Sequence, residues 1–254
     1  MNEIDFADRI AKASDLLAGA RSVVVLSGAG ISAESGVPTY RGAGAEPWDG
    51  LRAEQWATPE GYARDRQRVW KWYSDRRVQL GSIRPNAGHD ALARLQRHLL
   101  KTGGKFTLAT QNIDGLHQAA GCQNVLELHG SLLKVRCSRC SYRLTVGYEP
   151  MEEIPSCPDC GRPLRPAVVW FGETLPQDAW QAAVEAAQNC DLFMSVGTSA
   201  TVYPAAGLVE LAVASGARSI EVNLEPTPAS GLVDIALHGQ AGDVLTRMVG
   251  RRTG

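Results

Sequence analysis

The chain has 254 residues, 44% hydrophobic and 21% charged, with a formal net charge of −1. That length allows one large domain or a main domain with insertions, and the composition is that of an ordinary globular protein. Near-neutral charge gives no global attraction to nucleic acid or anionic membrane, and no stretch approaches the roughly 20 apolar residues of a membrane span.

The first segment, MNEIDFADRIAKASDLLAGA, mixes acids and bases and places Ile4, Ile10, Leu16 and Leu17 as in an amphipathic helix. It does not read as a secretory signal, so a cytoplasmic location is the default expectation. Reducing conditions there argue against structural disulfides. Val23–Leu26 is a short, mostly β-branched run of the kind that forms a buried parallel strand. It delivers the chain into SGAGISAESGVPTYRG, where Gly28, Gly30 and Ala33 fit a G-x-G-x-x-G/A phosphate loop. Such a loop turns tightly and brings backbone N–H groups toward a pyrophosphate.

In a hydride-transfer enzyme of this type a helix and second strand follow at once, with an acidic residue about 20 positions on. Here Pro38, Gly42, Gly44, Pro47 and Gly50 break the chain into a loop, although Asp49 lies at a plausible distance. The missing strand argues against a dehydrogenase. Thr58 to Leu80 then reads as a basic helix, and Ala87–Leu100 as another with Leu92, Leu95 and Leu99 on one face. Phe106–Thr110 and Val125–Leu128 read as strands, ending at TQNIDGLH and His129-Gly130.

Ser131–Arg165 changes character, carrying four of the six cysteines and prolines at 150, 155, 158 and 163. Cys137, Cys140, Cys157 and Cys160 form two C-x2-C pairs with 16 residues between them, the spacing of a zinc ribbon. Four thiolates close a tetrahedral site, so the zinc is expected to be structural. Cys122 and Cys190 fall outside the pattern and read as packing residues.

Alternation then resumes: Val168–Phe171 as a strand, Gln177–Asn189 as a helix, Leu192–Val196 as a strand, Ala205–Ala214 as a helix and Ser219–Asn223 as a strand. This order predicts an α/β fold, a doubly wound, mostly parallel sheet with a smaller insertion. Ligands of such sheets bind beyond the strands' carboxyl ends. Polar groups are clustered at those ends: Gln111, Asn112 and Asp114; His129; Gly197, Thr198 and Ser199; Asn223 and Glu225. Thr198 and Ser199 can donate to phosphate or ribose, Asn223 and Glu225 can accept from ribose hydroxyls, and Asn112 and Asp114 can fix a carboxamide. His129 has the side chain suited to general base work near neutral pH, with Gly130 leaving space beside the ring.

The ordered set GAGISAESGVPTYRG, TQNIDGLH, ELHG, the two cysteine pairs, VVWFGE, GTS and VNLE resembles the sirtuin family of NAD-dependent protein deacylases, over roughly residues 18–245. The resemblance implies a Rossmann-like NAD-binding large domain of residues 1–42, 86–130 and 166–254. Its smaller domain would combine a helical insertion, 43–85, with the zinc ribbon, 131–165. NAD would lie between them as co-substrate, covered by Gly28, Ala29, Gly30, Ile31, Glu34, Thr39, Tyr40 and Arg41, with Ala241 also at its site. Gln111, Asn112 and Asp114 would hold the nicotinamide end. The acyl-lysine carbonyl would attack the anomeric carbon as nicotinamide leaves, and His129 would then act as base on a ribose hydroxyl. The products would be lysine, nicotinamide and O-acyl-ADP-ribose. Val168–Glu173 would pair with the substrate peptide as an added strand, with Val169, Trp170, Phe171 and Gly172 facing it.

Thr39 stands where most of the family has aspartate, which resembles the class III branch and implies weaker deacetylation. Val69, Tyr73, Arg76 and Leu80 share one helical face, and an arginine on such a stripe needs an anionic or hydrogen-bonding partner, unless the helix is simply basic and solvated. Arg77 fits nearly as well by spacing; the family's Tyr-x-x-Arg pattern matches Tyr73 and Arg76. Together they would grip the distal carboxylate of a succinyl, malonyl or glutaryl group. The alternatives are mono-ADP-ribosyl transfer, NAD hydrolysis, a predominantly acetyl-directed enzyme and a non-catalytic NAD sensor. Acylated proteins are the expected partners of a monomer.

Overall fold

The computed structural model describes residues 3–38 and 56–253. Its centre is a six-stranded parallel sheet: β1 (Ser22–Ser27), β2 (Lys105–Thr110), β3 (Leu126–Glu127), then, beyond an insertion, β7 (Leu192–Val196), β8 (Arg218–Asn223) and β9 (Ile235–His238). The spatial order is β3-β2-β1-β7-β8-β9, the doubly wound Rossmann arrangement, whose order reverses between β1 and β7.

β1 shows why its sequence is uninterruptedly apolar. Val23 and Val25 pack into one layer with α1 (Glu3–Gly19), α5 (Ala87–Lys101) and α9 (Ala241–Thr253), through Leu17, Leu95 and Met248. Val24 and Leu26 point to the other layer, with Ala183 and Ala187 of α7 (Gln177–Gln188) and Leu208 and Ala212 of α8 (Gly207–Ala214). Both faces are buried, so each strand residue contributes to a core.

Three further elements, α2 (Ala29–Ala33), α3 (Pro59–Arg64) and α4 (Arg66–Leu80), belong to the segment between β1 and α5. The single helix expected over 58–80 is thus two. Asp65 leaves helical geometry (φ −148, ψ 82), and its carboxylate accepts the Arg68 N–H, capping the second helix.

The cysteine-bearing stretch forms its own antiparallel sheet, β5-β4-β6, from β4 (Gly130–Cys137), β5 (Arg143–Thr145) and β6 (Leu164–Val168). The strand expected at 168–171 therefore lies earlier and stops at Val168, because the next residues are drawn into a turn described below. α4 docks on this module. Trp70 Nε1 donates to the Met151 carbonyl, the Met151 N–H donates to Ser74 Oγ, and Gln67 Nε2 donates to the Glu152 carbonyl. β9 and α9 went unread in the sequence, since IALH is too short a run to declare itself. No helix among the described residues is long and apolar enough to cross a membrane.

Candidate active site

Because β1, β2, β7 and β8 are parallel and in register at their ends, the loops after Ser27, Thr110, Val196 and Asn223 leave from one edge. At the reversal point Gly28 and Gly30 lie directly against Gly197. A Cβ on Gly28 would sit 2.7 Å from the Gly197 carbonyl oxygen, and one on Gly30 2.7 Å from Gly197 Cα. Gly197 has φ +62, and a Cβ there would fall 2.3 Å from the Ile31 nitrogen. The N–H groups of Gly28 and Gly30 are already bound to the carbonyls of Val196 and Gly197, at 2.9 and 2.8 Å. These glycines therefore bring two loops together backbone to backbone, a task beyond the phosphate turn read from the sequence.

A buried polar network lies beneath. Asn112 donates through Nδ2 to the Gly28 carbonyl (3.0 Å) and to Ser32 Oγ (3.1 Å). Ser32 in turn donates to Asp114 Oδ2 at 2.7 Å, and Asp114 Oδ1 accepts the Leu116 N–H. Burial pushes the Asp114 carboxyl up, against these hydrogen bonds. His89 Nδ1 accepts the Asn86 N–H at 3.3 Å, which leaves its Nε2–H facing Ser32. His117 Nε2 lies 2.8 Å from Ser27 Oγ, and its Nδ1 is buried with no partner. The two rings are 4.9 Å apart, and burial lowers His89 to about 4 and His117 to about 3, so both are neutral.

His129 ends the β3 loop with Nδ1 3.0 Å from the Gln111 carbonyl oxygen. A carbonyl only accepts, so Nδ1 carries the proton and Nε2 keeps a lone pair. Burial lowers the His129 pKa, with the Gln111 bond opposing. Gly130 has a role other than making room for the ring. At φ +78, a Cβ there would stand 2.0 Å from the Ala167 carbonyl oxygen, so glycine is what lets β4 meet β6.

The remaining edge residues are held in varied ways. Thr198 is buried with its hydroxyl 3.0 Å from Ser195 Oγ, whereas Ser199 is exposed and pairs with Thr201. Asn223 Nδ2 donates to the Glu225 carbonyl, and buried Glu221 accepts from Thr227 and Ser230 in the same loop. Glu34 accepts the Gly242 N–H at 2.8 Å, next to buried Ala241, and so caps α9. Thr39, Tyr40 and Arg41 lie outside the described residues.

On α4, Val69, Tyr73 and Leu80 are buried in a cluster with Trp170. Tyr73 OH accepts Trp170 Nε1–H at 3.0 Å. Arg76 is half-buried with its guanidinium 4.2 Å above the Trp72 ring. Arg77 is only 2% exposed and turns the other way, donating to Ser74 Oγ at 3.3 Å beside the cysteine module.

The four cysteine sulfurs all lie within 4.8 Å of one another, with contacts of 3.5, 3.6 and 3.7 Å. A tetrahedron with metal–sulfur bonds of about 2.3 Å has sulfurs about 3.8 Å apart. Backbone N–H groups of Arg139 and Cys140 point at Cys137 Sγ, 3.3 and 3.4 Å away, as in a zinc knuckle. The donor set fits one closed, structural zinc ion.

The pattern of the Sir2 family matches residues 28–204. The chain belongs to the Sir2 family. This Sir2 protein is 48% identical to "NAD-dependent protein deacylase 2" of Pyrobaculum aerophilum over 237 residues, 93% of each chain. It is 45% identical to "NAD-dependent protein deacylase" of Mycobacterium tuberculosis, covering 90% of this chain and 97% of the relative. Its fold matches a Sir2 homologue–NAD complex with TM-score 0.88 and 40% identity, over 95% of this chain and 93% of the other. A structure described as Sir2 bound to acetylated peptide matches with TM-score 0.81 and 30% identity, over 95% and 98%. The protein is accordingly an enzyme, an NAD-dependent deacylase with NAD as co-substrate and one structural zinc.

Sequence reading of this Sir2 chain missed Ser27, Ser32, His89 and His117. Ser32 stands inside the glycine motif, and His117 closes TQNIDGLH, so both were flagged by position but not by partner. His89 gave only a capping signal, Asn86 three residues before it.

Proposed function

We propose that this enzyme removes acidic acyl groups (succinyl, malonyl and glutaryl) from protein lysine, and acetyl more weakly, releasing nicotinamide and O-acyl-ADP-ribose. The observation that carries the catalytic reading is the His129 tautomer: Nδ1–H is committed to the Gln111 carbonyl, and Nε2 has a lone pair for a ribose hydroxyl. NAD supplies the electrophilic anomeric carbon. Gly28–Ile31 with Gly197–Ser199 would lie along its phosphates, Asn223 and Glu225 at the adenosine ribose, and Gln111, Asn112 and Asp114 at the nicotinamide end. Thr39–Arg41 would cover it, and Glu34 and Ala241 would stand behind the glycine loop. Asp114 and Asn112 are held by Ser32, so they are oriented before any ligand arrives.

The acyl preference rests on α4. Arg76 flanks the face of Val69, Tyr73 and Leu80, and Arg77 is turned to Ser74, which supports Arg76 as the carboxylate partner. Tyr73 OH accepts from Trp170, which fixes the ring beside the Val69–Leu80 face. A planar guanidinium binds a carboxylate through two parallel bonds, and acetyl offers none. Val169–Gly172 would receive the acylated peptide. The six-stranded unit would be the large domain and α3, α4 and the zinc ribbon the small one, with the cleft between.

Mass spectrometry of acetyl-, malonyl-, succinyl- and glutaryl-lysine peptides incubated with enzyme and NAD tests this directly. Faster loss of the acidic groups supports the reading, and faster deacetylation would sink the preference. Nicotinamide released without any acyl-lysine peptide would favour ADP-ribosyl transfer or NAD hydrolysis instead.

A further inference from the structure

The turn that follows β6 is shaped by a carboxylate to which the reaction assigns no task. Glu173 receives both arms of the Arg165 guanidinium, at 2.6 and 3.0 Å, and one arm of Arg136 at 3.0 Å. Its Oε2 also accepts the Trp170 N–H at 2.9 Å, and the Glu173 N–H returns to the Trp170 carbonyl at 3.0 Å. Arg165 is 6% exposed and lies over Trp170, its guanidinium carbon 3.3 Å from the ring centroid, and donates to the Val168 carbonyl as well. Burial pushes the Glu173 carboxyl up, but Arg165 and the Trp170 N–H outweigh it and hold the group below the usual range.

We propose that Glu173, gripped by Arg165, is a positioning residue for the acyl-peptide: it sets the Trp170–Glu173 turn in its binding shape before substrate arrives. The proposal rests on the deacylase reading and on Val169–Gly172 as the peptide-facing segment. That segment has neither helix nor strand; the buried Trp170 ring anchors its middle in the α4 cluster, while the Phe171 side chain is 47% exposed. Polar contacts set the backbone on either side of that anchor. Val169 donates to the His129 carbonyl, Phe171 to the Ala57 carbonyl and Trp170 to Glu173, so three consecutive N–H groups are drawn inward. An incoming strand would have to use acceptors other than the Trp170 carbonyl, which the Glu173 N–H already occupies. Removing the carboxylate would leave the Trp170 N–H without an acceptor and the buried Arg165 cation with only the Val168 carbonyl, and the turn must rearrange to satisfy them.

The test compares wild type, Glu173→Gln and Glu173→Ala in steady-state deacylation, with amide hydrogen exchange followed by mass spectrometry. Glu173→Gln keeps the side chain's shape and an acceptor for the Trp170 N–H but loses the charge that holds Arg165. Its KM for acyl-peptide is expected to rise about tenfold, the scale of one lost charge-assisted hydrogen bond, and that of Glu173→Ala further. The KM for NAD, kcat and zinc content should stay at wild-type values, while amides of 170–173 exchange faster. A wild-type peptide KM in Glu173→Gln overturns the proposal, as does an equal rise in the KM for NAD. If Glu173→Ala does not fold, Glu173→Gln still decides. A wild-type enzyme that releases no nicotinamide with any acyl-lysine peptide overturns the deacylase reading itself, and the positioning role with it.

Discussion

The Gln111 carbonyl oxygen lies 3.0 Å from Nδ1 of His129, and this one contact decides which ring nitrogen is available for chemistry. Replacing the ring should abolish deacylation: His129→Ala is expected to lose about 10²–10⁴-fold in kcat/KM while retaining its zinc. Since burial lowers the imidazole pKa, activity should hold its plateau down past the ordinary histidine value of 6.5 and fall at lower pH. A profile that declines above that value, or substantial turnover by the alanine variant, would remove His129 as the base.

Arg76 and Arg77 are neighbours in sequence but face different parts of the molecule. Arg76→Met should weaken desuccinylation far more than deacetylation, because only the acidic acyl group loses a partner. Arg77→Met acts at the junction with the zinc module and should not change the ratio of the two rates. Paired rate measurements on both peptides check this; equal losses in Arg76→Met would count against the carboxylate clamp.

His89 and His117 are neutral in the fold because burial lowers them to about 4 and about 3. Below pH 6.5 the unfolded chain takes up protons that the native state refuses, so stability falls with pH from there down through the folded values. Asp114 acts in the opposite sense at the acid end, since its raised pKa lets the native state bind a proton first. Thermal melts from pH 7.5 to 4.5 should show a falling Tm, and His117→Asn should flatten the dependence. A Tm independent of pH over that range would be the contrary result.

Gly197→Ala places a methyl group 2.3 Å from the Ile31 nitrogen at a left-handed backbone position. The combination of strain and overlap should cost about 3 kcal/mol or more and raise the KM for NAD. Denaturant unfolding of the variant measures it. Gly231→Ala, where a Cβ meets nothing within 4 Å and φ is not positive, is the unstrained control.

Removing zinc should disturb more than the ribbon. Cys157→Ser is expected to release the metal and loosen Met151 and Glu152, which accept from Trp70 and Gln67 of α4. Faster hydrogen exchange in α4 as well as around the cysteines would show this; an unchanged α4 would separate the two.

What could be read in advance was what local spacing encodes. Two C-x2-C pairs, an apolar run before a glycine turn and an alternation of strand and helix patterns each carry their meaning within a few residues. The polar network did not, because Ser32, His89, Asp114 and His117 meet only once β1 and β2 lie side by side. The two inserted helices read as one because Asp65 is polar enough to sit on a helix surface, and only its cap shows the break. The crowding that also requires glycine at 130 was out of reach for a similar reason: it comes from Ala167, far along the chain.

The seam between α4 and the 151–152 segment has a consequence for anyone building chimeras. Trp70, Ser74 and Gln67 close their hydrogen bonds on backbone atoms of the other insertion. Two stretches separated by two of the six Rossmann strands thus behave as matched parts, and transplanting α4 alone would expose broken polar bonds at its back. On the proposed carboxylate clamp, acyl selectivity would move between scaffolds only as a cassette that carries helix and ribbon together.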